Sequence, residues 1–192
     1  MDREDATNTW NKLGSAIDEI YNRNASQLSF EELYRCGYNL VLHKHGALLY
    51  EGVSSKLTEH LQDTVEKLAD THESSLLDAV STSWQEHIVT MSMIRDILMY
   101  MDKTYVNQHK RRNVYELGLH LFRITIWEHP SVKNRVCDLL LDAIAKERSG
   151  MNLDDRGLLK SIIAMLLELG RADYAAAVYQ QDFELAFLGT TQ

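Results

Sequence analysis

One proline and nine glycines in 192 residues leave few positions able to break a regular backbone. Strict alternation of apolar and polar residues is missing too. Apolar residues recur instead at three- and four-residue spacing in nearly every segment, which predicts an all-α protein. The two cysteines, Cys36 and Cys137, each fall inside a helical pattern, so neither a disulfide framework nor a metal site of four Cys/His ligands is indicated. Such sparse cysteine usage fits a reducing compartment. No apolar stretch follows Met1, which opens on MDREDATNTW, and no run approaches the roughly 18 apolar residues that span a bilayer. The sequence therefore reads as soluble, without an export signal. Basic residues are the minority, 20 against 28 acidic ones, and the formal charge of −8 argues against a nucleic-acid surface. The single basic cluster, His109 to Arg112, lies between two helical patterns and reads as a solvated loop.

What is present is enough to fold. A hydrophobic content of 45% over a length suited to one domain, or one and a half, can bury a core without cross-links. Trp10, Leu13, Ala16, Ile17 and Ile20 define a first amphipathic helix over about 4–23. Ser29 and Glu32 have capping-box spacing at the start of a second, for which Gly46 is the expected end. Leu49, Val53, Leu57 and Leu61 predict a third over about 47–70, and a fourth pattern runs from about 74 to 107, long enough to expect a kink or break near Thr90. After NVYELGLHLFRITIWE, Pro130 is the expected stop and Ser131 the cap of the next helix. A last pair is read at about 154–169 and 172–188, with Gly150 and Gly170 as helix ends. No 34- or 40-residue repeat is visible.

Catalytic motifs are missing: the chain has no glycine-rich phosphate loop, no nucleophile elbow and no His-Glu-x-x-His. His43 and His45 are two residues apart and point to different sides of a helix, so they read as cations at a helix C-terminus and not as a ligand pair. The acid pairs Glu31–Glu32 and Asp154–Asp155 fall in first turns, where carboxylates serve capping. No catalytic residue, cofactor, metal or small-molecule substrate is expected.

The unusual feature is a row of aromatics. Phe30, Tyr34 and Tyr38 follow each other at four-residue spacing, and at about 100° per residue Leu33, Cys36, Gly37 and Leu40 share one arc while Tyr34, Tyr38 and Leu42 extend the apolar surface the other way. The apolar sector is roughly twice the 100° stripe that a surface helix needs. Core aromatics are the plain reading, but Leu33, Gly37, Leu40 and Val41 already supply a core face. Tyrosine suits a surface that is dry when bound and wet when free. A second segment, MSMIRDILMYMDKTYV, repeats the pattern: Met91, Ile94, Ile97, Leu98, Met101 and Tyr105 form a core stripe, and Met93, Asp96, Met99, Tyr100 and Lys103 cover the opposite side. Methionine adapts to irregular partners. The two spare faces together predict one composite protein-binding site.

The segments LSFEELYRCGYNLVLHKHGALLYEG, MIRDILMYMDKTYV and DRGLLKSIIAMLLELG resemble the N-terminal region of cullins, and the resemblance runs from MDREDATNTW to YQQDFELAFL. It implies a fold of stacked five-helix cullin repeats, with residues 1–130 as the first repeat and 131–192 as the start of a second. It also implies a non-catalytic scaffold of a RING ubiquitin ligase whose first repeat binds BTB-domain adaptors. The positions matching the family's contacts are Leu28, Phe30, Glu31, Tyr34 and Tyr38, with Met99, Tyr100 and Lys103; Lys103 stands where arginine is more usual. Two departures follow from the ends of the sequence. The chain starts almost at its first helix, without the stretch that packs on an extension of the adaptor, and it stops inside the second repeat, so no RING subunit is expected on this chain alone. A cytoplasmic or nuclear protein without nucleic-acid or membrane partners is expected. The competing readings are a structural fragment with a decayed docking face, a fragment that competes with full-length cullin, and an unrelated helical enzyme.

Overall fold

The computed structural model describes residues 1–150 and 156–172; the helix expected at 172–188 and the pair Asp154–Asp155 lie outside them. The described residues form α1 (Arg3–Tyr21), a 3-10 turn (Ala25–Gln27), α2 (Phe30–Leu42), α3 (Gly46–Asp70), α4 (Glu73–Ile97), α5 (residues 99–109), α6 (residues 114–127), α7 (Pro130–Arg148) and α8 (Arg156–Ala172). Among them there is no strand, in agreement with the apolar spacing, and no helix long and apolar enough to cross a membrane. Both α5 and α6 contain a π-helical turn, at Asp102–Val106 and Arg123–Trp127.

Local chemistry explains the helix ends, and corrects several of the expected ones. Asp2 and Asp5 form a reciprocal capping box at α1, as each side chain accepts the other's amide. At α2 only half of the expected box forms: Ser29 Oγ accepts the Glu32 amide at 3.3 Å, but the Glu32 carboxylate is ion-paired with Lys12 of α1. Gly46 opens α3 instead of closing α2, and the turn between them carries Lys44 at φ 66°. Pro130 is the first residue of α7, where its fixed φ and missing N–H cost nothing, so it starts a helix and Ser131 is not its cap. Gly150, at φ 81°, follows the end of α7 as expected, whereas Gly170 lies inside α8. The break expected near Thr90 comes at Leu98, where φ −101° and ψ 16° leave the helical region; Thr90 is buried within α4.

The chain divides into two compact units. The first comprises Met1–His60 and His87–Gly118. Its core joins Leu13, Ile17 and Ile20 of α1 to Leu33 and Leu40 of α2, Leu49 and Val53 of α3, and Ile94 and Ile97 of α4. The apolar packing there leaves a void of only about 10 Å³, roughly what one water needs, so the interior is close-packed. Trp10 lies partly exposed against Gly52, where an added Cβ would stand 2.4 Å from the indole Cζ2. Lys56 and His60 of α3 converge on the Asp18 carboxylate at 2.9 and 2.7 Å, joining α1 to α3. The second unit takes Leu61–Glu86 and the described residues from Leu119 onward. It buries Trp84 edge-on to Phe122, with centroids 5.1 Å apart, beside Trp127, Val132, Val136 and Leu140. Arg135 of α7 donates to the carbonyls of Ala69 (3.1 Å) and Thr71 (2.6 Å), a cation placed where the C-terminus of α3 carries partial negative charge.

Candidate protein-docking face

The candidate face is built in the first unit by α2 and α5. The geometry begins with Gly37. An added Cβ there would stand 3.1 Å from Leu98 Cδ2 and 3.8 Å from the Ile97 carbonyl, so the small residue lets α2 lie close against the break between α4 and α5. Leu33, Gly37 and Leu40 turn inward along one face of α2. On the neighbouring face Tyr34 and Tyr38 stay partly exposed, and Phe30, the first residue of the helix, is 39% exposed. Leu42 continues the row at the helix end and is exposed as well.

The break at Leu98 re-aims the chain, leaving Met99 42% exposed while Leu98 and Met101 on either side are buried. Tyr100 meets Tyr38 with ring centroids 4.4 Å apart at 49°, a tilted pair at the seam of the two helices. Leu28 precedes the row as a partly buried residue, its amide donating to Ala25 O at 3.0 Å. Glu31 is exposed and ion-paired with Arg35 one turn on, and Lys103 is exposed at the start of the π-turn of α5. Of the eight expected positions, then, the fold brings Tyr38 directly onto Tyr100 and sets Phe30 and Tyr34 along the same row, while Leu28 and Glu31 flank its beginning.

Lys103 and Met99 also line an open groove of about 500 Å³ with Arg95, Asp96, Asp102, Asn107, Asn113, Tyr115 and Glu116. Sequence reasoning missed this groove, because it depends on the turn after His109 bringing α6 back beside α5. That turn holds the basic cluster. Lys110 takes φ 49°, and Arg111 pairs with Glu51 while its guanidinium lies 4.8 Å over the Tyr50 ring. The Tyr50 hydroxyl donates to Arg112 O at 2.9 Å. The loop, read as solvated, is exposed from His109 to Arg112 and is also fastened to α3. Gly46 allows the same approach, since an added Cβ would fall 2.5 Å from Tyr105 Cδ2. His43 closes α2 with Nδ1 2.8 Å from Asn39 O, and among the described residues no group of three or more His, Cys, Asp or Glu side chains gathers to hold a metal.

A family model described as the cullin alpha solenoid domain matches residues 10–192. The chain belongs to the cullin family. This cullin chain is 44% identical over 188 residues to cullin-3B of Arabidopsis thaliana, covering 98% of the chain and 25% of that protein. It is 43% identical to cullin-3 of Dictyostelium discoideum, covering 94% of the chain and 23% of that protein. With cullin-3 of Caenorhabditis elegans it shares 40% identity, covering 100% of the chain and 24% of that protein. The cullin resemblance read from the three segments is borne out, as is the all-α solenoid class. The chain spans about a quarter of the length of these relatives.

Proposed function

We propose that this chain is the adaptor-binding part of a cullin-3-type scaffold of a RING ubiquitin ligase, non-catalytic itself, and that it docks BTB-domain adaptors on the face formed by α2 and α5. On this reading residues 1–130 are the first cullin repeat and 131–192 open the second, the partner residues are Leu28, Phe30, Glu31, Tyr34, Tyr38, Met99, Tyr100 and Lys103, and the protein works in the cytoplasm or nucleus. Membership of the cullin family and similarity to three cullin-3 proteins support the class of machine. The observation that carries the site is the Tyr38–Tyr100 seam: two partly exposed tyrosines from different helices in ring contact, with the exposed apolar side chains Phe30 and Met99 on the same two helices.

Central aromatic anchors in such interfaces typically cost about 2 kcal/mol or more on truncation, while rim residues cost little. Tyr38→Ala and Tyr100→Ala should each weaken a BTB-domain adaptor at least tenfold by calorimetry, with circular dichroism unchanged, whereas Glu31→Ala should cost about threefold or less. Losses below threefold in both tyrosine variants would place the contact elsewhere.

A further inference from the structure

The docking residues on α5 bracket a residue that the proposed interface does not use. Tyr100 and Lys103 stand on either side of Asp102, the first residue of the π-turn Asp102–Val106. Along α5 three side chains bond backward onto backbone carbonyls: Thr104 Oγ1 donates to Tyr100 O at 2.6 Å, Asn107 Nδ2 to Lys103 O at 3.2 Å and His109 Nδ1 to Tyr105 O at 2.8 Å. Asp102 instead reaches across twelve residues. Its carboxylate accepts the Val114 amide at 3.0 Å, at the first residue of α6.

That amide is one the local cap does not serve. The first amides of a helix have no partner inside it. At α6, Asn113 Oδ1 accepts the Glu116 amide at 2.9 Å and Glu116 Oε2 accepts the Asn113 amide at 3.4 Å, a capping box that leaves Val114 N–H to be satisfied from outside. A π-turn has poorer hydrogen-bond geometry than an α-helix and often marks functional positions. We infer that Asp102 is a positioning residue of the docking face: by accepting the Val114 amide it fastens the π-turn of α5 to the first turn of α6 and so fixes the direction of Tyr100 and Lys103. This rests on the reading of the face as an adaptor site.

The surroundings of Asp102 make the fastening responsive to protons. Arg95 and Asp96 of α4, Lys103 of its own helix, and Tyr115 and Glu116 of α6 line the same groove, and Tyr50 of α3 feels its charge. Burial above all, opposed by the Val114 bond and Arg95 and aided by Glu116, raises the carboxyl to a pKa of about 6. The bond to Val114 favours the ionised form, so protonation weakens it.

The test compares Asp102→Ala, which removes the acceptor, with Asp102→Asn, which keeps an acceptor without the charge. Adaptor affinity is measured for both by calorimetry from pH 5 to 7.5, with Tyr100→Ala as the control for the face itself. The expected result is a loss on the order of three- to tenfold for Asp102→Ala at pH 7.5, the size of one hydrogen bond. Recovery to within about twofold is expected for Asp102→Asn, with a wild-type affinity that declines below pH 6 and an Asp102→Asn affinity that does not. Wild-type affinity in Asp102→Ala, or equal losses in both variants, would overturn the inference while leaving the adaptor site intact. Amide exchange at Val114 and the Tyr38–Tyr100 ring proximity, both followed by NMR on the free protein, decide the matter without any adaptor. If no BTB domain binds the wild type, the adaptor reading fails. The positioning role then stands or falls on whether Asp102→Ala, and not Asp102→Asn, exposes the Val114 amide and separates the rings.

Discussion

His87 and Asp102 give opposite acid responses to one unit of the fold. A carbonyl oxygen only accepts, so His87 Nε2 carries the proton that reaches Gly118 O at 2.9 Å, and burial holds the ring neutral by lowering its pKa to about 4. Between that value and the ordinary 6.5 the unfolded chain binds a proton that the folded chain does not, so this contribution is complete above about pH 6.5 and is lost as pH falls toward 4. Asp102 runs the other way. With its pKa raised from 3.8 to about 6, the folded chain holds the extra proton in that window, and stability falls as pH rises through it. Asp102→Asn should therefore be more stable than wild type at pH 7, with the gain shrinking as pH falls toward 4. Urea unfolding at the two pH values measures it, and a gain that is the same at both would mean that the carboxyl titrates normally.

Among the helices, α2 separates its duties by face. Leu40 is fully buried and the aromatic row is not, so Leu40→Ala should lower stability by about 2–5 kcal/mol, seen as a reduced melting temperature, while the folded fraction keeps adaptor affinity within about threefold. An unchanged melting temperature with adaptor binding lost would exchange the two faces. This division was legible in the sequence because it depends on angles around a helix, and a period of 3.6 fixes those angles before any tertiary contact forms. Helix ends were less legible. Gly46 and Pro130 were each assigned to the wrong side of a turn, since their role was decided by a neighbour, Tyr105 packing where a Cβ would stand, or by a first-turn position that tolerates proline. Glu32 left its capping partner for Lys12, a choice that only the packing of α1 offers. Neither the break at Leu98 nor the π-turns carry a glycine or proline, and their apolar spacing is nearly that of an uninterrupted helix. The groove beside Lys103 was invisible because it forms only where the turn after His109 returns α6 beside α5.

For the molecule as a whole, the proposed adaptor-docking role predicts a dominant effect in trans. A polypeptide of these 192 residues, added to full-length cullin-3, a BTB adaptor and its substrate, should suppress substrate ubiquitination, because an adaptor held on its α2–α5 face is withheld from the complete scaffold. With equal affinities, a tenfold excess should leave about a tenth of a limiting adaptor productively bound. The double variant Tyr38→Ala, Tyr100→Ala should not inhibit. Ubiquitination that stays constant across the titration, with the added polypeptide folded and monomeric, would rule this out. The indole resting on Gly52 supplies an optical handle for such work. Of the three tryptophans, Trp84 and Trp127 are buried and Trp10 alone is open to solvent. A small neutral quencher such as acrylamide, at low concentration, should therefore extinguish one class of emitter and spare the other. In Trp10→Phe the quenchable fraction should disappear and the remaining emission move to the blue, so that the light lost belongs to a single position in α1 and reports on the unit that carries the candidate docking face.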